Sequence, residues 1–355
     1  MCRHSVIIHS WKLRSDPRWA SSIAGSVIFE KAEPQIRESL TIRRRHLDES
    51  HFDLADSLQG LASLERIYYA DYVEAEQLMR QAVAILRSHP DLVSLGYPYS
   101  FDLPFMLLGL AETLRVQGGL DEAEQTAREA LDWITTHLEP AARQLMEPHA
   151  KRLLATVLRD QHDLTTAAEL CDQALSVFLE LQRMGFEHTH NICRIQHTQA
   201  SISQRLTDWE TAESLYRQVL SSLRGMFGAI HPRIADALAG LCEVLLETKR
   251  PREALSAAKE SYDIRRQALH ADHWHIAYSR MLVGRCLVAL REFQQAEDLL
   301  LQSYPVLAQK RGAQHRSTRT ALQALVKLYQ EWGKPQQAAK YAALAAQSQN
   351  VDKKP

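Results

Sequence analysis

Two helical stripes of apolar side chains stand out between His275 and Arg311, separated by a short break. Ile276, Val283, Leu287 and Leu290 are spaced seven, four and three apart, which places them on one face of an α-helix. Beyond the break, Ala296, Leu300, Ser303 and Leu307 draw the same stripe. Gly284 and Ala296 leave little bulk where the two helices would meet, so their axes can approach closely. Neither helix can bury its stripe alone, and the pair requires neighbours on both sides.

The rest of the chain supplies them. The alanine of the second stripe recurs as Ala32, Ala75, Ala123, Ala167, Ala212, Ala254, Ala296 and Ala338, at intervals of 43, 48, 44, 45, 42, 42 and 42 residues. Seven residues after each stands a small side chain (Ser39, Ala82, Ala130, Ala174, Ser261, Ser303, Ala345), with Val219 the exception. Three residues before each stands an aromatic, aliphatic or proline residue: Phe29, Tyr72, Leu120, Leu164, Trp209, Pro251, Phe293 and Pro335. A period held eight times predicts an array of helix pairs. Gly118-Gly119, Lys249-Arg250-Pro251 and Gly333-Lys334-Pro335 break the chain within pairs, the prolines suiting a first helical turn. Ser88-His89-Pro90-Asp91 and Ile230-His231-Pro232-Arg233 separate one pair from the next. Pro305 falls inside a second helix, where a kink or an early end is expected.

The expected fold is therefore all-α: a right-handed superhelical solenoid of antiparallel helix pairs. Residues 29–348 hold one partial and about seven complete repeats. Residues 1–28 carry a weak stripe and read as a degenerate or incomplete cap, and residues 349–355 read as a loose tail. Strand-like alternation is absent.

These residues follow the tetratricopeptide repeat pattern. Ala123 with Leu110-Ala111, Gly118 and Ala130, and Ala338 with Leu325, Tyr329, Gly333 and Ala345, occupy its small and apolar positions. The period of 42, longer than the usual 34, resembles the kinesin-light-chain-like subclass. The segments from Lys31 and from Asp272 are similar to arrays found C-terminal to bacterial serine/threonine kinase domains. Kinase chemistry does not carry over, because the chain has no Gly-rich phosphate loop, H-R-D or D-F-G. The odd N-terminus suits an array separated from a domain that once preceded it.

The resemblance also implies a groove. In such arrays the concave face is lined by side chains roughly 18, 15, 11, 8 and 7 residues before the repeat alanine. Counting from Ala167 gives His149, Arg152, Thr156, Arg159 and Asp160, and from Ala212 gives Arg194, His197, Ser201, Gln204 and Arg205. The next repeat offers Asp236, Glu243 and Glu247, and the one after Tyr278, Met281 and Arg285. The candidate peptide-binding residues are His149, Arg152, Arg159, Arg194, His197, Arg205 and Arg285. Their guanidinium forks suit side-chain carboxylates or a phosphate. A clamp on a ligand's C-terminal carboxylate is not expected, because the only asparagines, Asn191 and Asn350, fall outside these positions.

Composition narrows the reading further. Net charge of −1 gives no general attraction for nucleic acid or acidic membranes, and no apolar run approaches the roughly 20 residues of a membrane span. Five cysteines without a C-x-x-C spacing suit buried, reduced thiols in a cytoplasmic protein. His51, His231, His273 and His315 each fall 19 residues after a repeat alanine, and His188 falls 21 after one. That points to capping or packing of the turn between repeats. His188-Thr189-His190 and His273-Trp274-His275 have paired-ligand spacing, but no cysteine or carboxylate cluster completes a metal site. Arg43-Arg44-Arg45 suits the negative end of a helix dipole.

The expectation is a non-enzymatic scaffold that binds an acidic or phosphorylated protein segment in its concave groove, without cofactor or metal. Self-association through the solenoid ends is a further possibility for such an array. The alternative is a regulatory array of a bacterial serine/threonine kinase system, separated from its kinase domain.

Overall fold

The computed structural model describes residues 25–89 and 102–350. Among them are fifteen helices and no strand. In chain order they are α1 (Gly25–His46), α2 (Phe52–Leu64), α3 (Tyr72–Arg87), α4 (Asp102–Gln117) and α5 (Leu120–His137). Then come α6 (Pro140–Asp160), α7 (Leu164–Arg183), α8 (Thr189–Arg205), α9 (Trp209–Phe227) and α10 (Pro232–Glu247). The last are α11 (Pro251–Ala268), α12 (Trp274–Ala289), α13 (Phe293–Arg311), α14 (Arg316–Glu331) and α15 (Pro335–Asn350). The fold is all-α, a solenoid of antiparallel helix pairs. It divides into two units, the first ending at Leu206 and the second beginning at Thr207. The first holds α1, the pairs α2–α3, α4–α5 and α6–α7, and then α8. The second holds α9 and the pairs α10–α11, α12–α13 and α14–α15.

All eight repeat alanines lie on second helices. Ala75, Ala123, Ala167, Ala212, Ala254 and Ala296 are wholly buried and Ala338 is 7% exposed, so these positions let neighbouring helices close on one another. The predicted approach of α12 and α13 is present, with a difference. A Cβ added at Gly284 would lie 2.8 Å from Leu300 Cγ and 3.6 Å from the Ala296 carbonyl oxygen. The space is thus taken by Leu300 rather than by Ala296. Two other glycines serve contacts between successive repeats: Gly109 of α4 receives Met79 of α3, and Gly240 of α10 receives the Tyr216 ring of α9. Each glycine stands 14 residues before a repeat alanine and each large side chain four after one.

The turns inside the repeats share one backbone device. Five residues before the repeat alanine, Ala70, Gly118, His162, Thr207, Lys249, Arg291 and Gly333 all take positive φ, between 58° and 98°. The following amide then reaches back five residues, as from Arg250 to the Leu245 carbonyl and from Glu292 to the Leu287 carbonyl, satisfying orphan carbonyls at the helix end. Five of the seven residues carry a Cβ in this left-handed conformation, so the turn is enforced by packing on both sides.

The loop histidines begin first helices. Nδ1 of His51, His231, His273 and His315 accepts from the backbone N–H two residues on, at 3.2, 3.1, 3.1 and 3.2 Å. Each is thus a side-chain N-cap of α2, α10, α12 or α14. His188 departs from the expectation. It precedes α8 without capping it and packs on Phe178, ring centroids 5.0 Å apart.

Pro305 does not end its helix, since α13 continues to Arg311. Leu300, Ser303 and Leu307 around it are wholly buried, so packing on both sides outweighs the lost backbone bond. Pro34 and Pro148 also lie within helices. The terminal boundaries move outward: α1 begins at Gly25, inside the segment read as a cap, and α15 runs to Asn350, inside the segment read as a tail. The rest of both segments, and the Pro90-Asp91 part of one loop, lie outside the described residues.

Candidate binding face

In the first unit the first helices α4, α6 and α8 set a row of half-buried charged side chains beside one another. Asp160 is the hub. Arg115 Nη1 donates to its Oδ2 at 2.6 Å, Arg205 Nη2 to its Oδ1 at 3.1 Å, and Arg159 Nε and Nη2 to the same Oδ1 at 3.0 and 2.8 Å. Arg115, Asp160 and Arg205 follow at intervals of 45 residues, so three successive first helices present the same register to one face. Burial would push the Asp160 carboxyl upward, but Arg159 and Arg115 hold it below the ordinary carboxylate range. Arg115 also grips Glu112 with both arms, at 3.0 and 2.9 Å. Burial opposes ionisation of Glu112, yet Arg115, Arg66 and Arg152 hold it at about 2.

Two of the expected ligand groups are thereby committed within the protein. Arg159 is held by Asp160 and by Ser201, whose Oγ accepts from its Nη1 at 2.7 Å. Arg205 is held by Asp160. Arg152 differs. Its side chain makes no hydrogen bond or ion pair among the described residues, and its Nε is buried without a partner. Burial lowers its pKa from the usual guanidinium value, with Glu112 opposing.

His149, one turn before Arg152 on α6, lies with its ring 5.3 Å from Phe178. Burial and then the charges of Arg194 and Arg152, with His190 and His188, keep its pKa well below the usual histidine value. It is therefore neutral near pH 7 and can accept or donate one hydrogen bond. Arg194 and His197 are half-buried on α8. Thr156 is buried and turned to its own helix, its Oγ1 donating to the Arg152 carbonyl at 2.9 Å.

The second unit builds its first-helix positions differently. Asp236 pairs with the buried Arg265 at 2.8 Å, and Arg265 also donates to Ser279 Oγ at 2.7 Å. The Tyr278 hydroxyl donates to Glu243 at 2.8 Å. Arg285 lies 3.7 Å from Glu243 and 3.9 Å from Glu247, so it serves the acids of α10 and belongs to a different unit from the other candidates. Met281 is wholly buried and lines no groove. His275 is neutral like His149, its pKa held well below normal by burial and then by Arg265 and His273.

Glu112 and Arg115 were absent from the sequence-based set, although the same count from Ala123 reaches both. Arg66 carries no such register signal. It lies in the π-helical turn Glu65–Tyr69 after α2, and only its charge on Glu112 shows its place. Among the described residues no helix is long and apolar enough to cross a membrane. Cys171, Cys193, Cys242 and Cys286 are buried free thiols, as expected.

Residues 191–267 match the tetratricopeptide repeat model. Among solved structures, the chain is similar to BtubC (BKLC) from P. vanneervenii, with 20% identity, a TM-score of 0.52, and 68% of this chain and 92% of that one covered. It is similar to the Rap conjugation gene regulator of plasmid pLS20 in complex with the Phr* peptide, with 17% identity, a TM-score of 0.63 and coverage of 84% and 75%. A Rap protein complexed with competence and sporulation factor gives 12% identity, a TM-score of 0.63 and coverage of 89% and 84%. At these identities the likeness concerns the fold. No curated protein matches the chain by sequence. The repeats and the fold are those of a protein-interaction scaffold.

Proposed function

We propose, for a chain that is a tetratricopeptide-repeat protein with the long period of the kinesin-light-chain-like subclass, a non-enzymatic scaffold role. It holds an acidic or phosphorylated segment of a protein partner on the first-helix face of its first unit. The observation that carries this reading is Arg152, a guanidinium set into that face without a carboxylate of its own while its neighbours share Asp160 and Glu112. A buried cation without a counter-charge is costly, and an acidic ligand would supply one. Two neighbours in fold, the plasmid Rap regulator and the Rap protein, were solved with Phr* peptide and with competence and sporulation factor, which supports a peptide as the kind of partner. The buried thiols suit a reducing compartment such as the cytoplasm.

Fluorescence anisotropy with a labelled oligoglutamate peptide tests the reading, with oligolysine as the control. Oligoglutamate should bind, and its affinity should fall as salt rises because the face is only half-buried. Equal binding of both peptides, or of neither, overturns it.

A further inference from the structure

Two buried thiols in the second unit meet across successive repeats. Cys242 of α10 and Cys286 of α12 are both wholly buried, and their sulfurs lie 3.6 Å apart in a weak thiol–thiol hydrogen bond. The residues beside them on the same helices are joined as well. Arg285 lies 3.7 Å from Glu243, and the Glu243 carboxylate also accepts from the Tyr278 hydroxyl of α12 at 2.8 Å. Three contacts thus hold α10 and α12 in one register, and that register keeps sulfur against sulfur. The acidic-segment reading uses neither thiol, since its carrying residue, Arg152, lies in the first unit.

We propose that Cys242 and Cys286 form an oxidisable pair, a site where a small-molecule disulfide of the glutathione class closes a covalent staple between neighbouring repeats. A disulfide needs its sulfurs about 2 Å apart, which side-chain rotation and a small helix shift can reach from the observed contact. The chemistry is thiol–disulfide exchange. One cysteine, as thiolate, attacks a sulfur of the small disulfide; that S–S bond breaks, and one small thiolate leaves and takes up a proton. The second cysteine then gives up its proton and attacks the protein sulfur of the mixed disulfide, forming the Cys242–Cys286 bond and expelling the second small thiol. Two electrons pass from the cysteines to the small disulfide, and both protons end on the released thiols. In the closed fold the site is guarded. The hydrogen bond with Cys286 and then burial hold the Cys242 thiol well above its ordinary pKa, and a wholly buried sulfur is inert towards oxidants. Exchange therefore proceeds through local opening of the two repeats, after which the paired register returns the sulfurs to each other. The staple closes a span of 44 residues and opposes the same opening that admits the oxidant. In a reducing compartment the pair rests as two thiols.

The experiment incubates the reduced full chain with oxidised glutathione, in native buffer and in urea below the unfolding midpoint, blocks the remaining thiols and digests with trypsin without reduction. Mass spectrometry should find the peptide of residues 234–249 joined to that of residues 286–291, two hydrogens lighter than their sum. The link should form faster in urea, and dithiothreitol should reverse it. The oxidised chain should melt several degrees above the reduced one. Cys286→Ala should give neither the link nor the shift, and Cys242→Ala repeats that control on the other helix. Both peptides recovered fully alkylated from the urea incubation overturn the proposal. So does glutathione held on either cysteine with no link, because the second sulfur then fails to reach the first. Linkage scattered among all five cysteines in native buffer, as in the fully denatured chain, overturns the pairing, and a link that leaves the melting temperature unchanged or lower overturns the staple.

Discussion

The two units use the same helix pairs and treat charge on their first helices in opposite ways. In the second unit the acids of α10 are paired: Asp236 with Arg265, Glu243 with Tyr278 and Arg285, and Glu247 with Arg285. In the first, one aspartate serves three arginines and a further arginine has no carboxylate partner among the described residues. The second arrangement is complete in itself. The first leaves Arg152 without a carboxylate, which in the proposed function an external acid supplies. A common scaffold thus separates what holds the fold from what is left over for a partner.

The largest expected effect comes from removing the hub. Asp160→Ala strands Arg115, Arg159 and Arg205 together and should destabilise the first unit by about 3 kcal/mol. Hydrogen exchange should show the loss concentrated in α4, α6 and α8, because each repeat leans mainly on its neighbours. Loosening spread evenly over both units would contradict the comparison.

Acid sharpens it from the other side. Burial, then Arg233, lowers His231 to about 4, and burial, then Arg265, lowers His273 to about 3. A histidine depressed in the folded state stabilises the fold fully above its unfolded pKa, near 6.5. That contribution is lost as pH falls from there through the folded values, because the unfolded chain takes up the proton first. Both rings also cap helices through Nδ1, an acceptor role that protonation ends. The second unit, with His231, His273 and His275 so placed against His149 in the first, should lose on the order of 2–3 kcal/mol more between pH 6.5 and pH 4. Its amides should lose protection first in pH-resolved exchange; simultaneous loss in both units would count against it.

The repeat contact through Gly240 comes next. Gly240→Ala drives a methyl into the Tyr216 ring and should cost roughly 1–3 kcal/mol, read from the denaturant midpoint at constant slope. An unchanged midpoint would mean that the ring moves aside freely.

The smallest effects come from the turns. Arg291→Gly relieves a side chain held at φ 63° and should stabilise by roughly 0.5–1 kcal/mol. Gly118→Ala, at φ 98° in the first unit, should destabilise by about 1 kcal/mol. Thermal melting of the two variants checks the opposite signs.

The eightfold alanine register carried nearly the whole fold, because a small residue at a helix crossing is a constraint that composition cannot fake. The histidine caps were legible for the same reason, their constant offset of 19 residues. His188, offset by 21, broke the register and the capping role together. The charged face was legible only as positions. Counting named Arg152, Arg159 and Arg205 as equals, yet Asp160 separates them. Which arginine a carboxylate reaches depends on side-chain rotamers across three helices, and periodicity does not encode that. Of the kink or early end expected at Pro305, the early end does not occur, because helix propensity is local whereas the packing that overrides it comes from neighbouring helices.

The central claim is that binding capacity resides in the uncompensated face and not in the compensated one. Anisotropy titration of labelled oligoglutamate against wild type, an Arg152→Ala, Arg194→Ala double variant and Arg285→Ala tests it most directly. The double variant should weaken binding by about 1–3 kcal/mol per arginine, while Arg285→Ala should leave affinity unchanged. Undiminished affinity in the double variant, or a comparable loss from Arg285→Ala, would contradict the account.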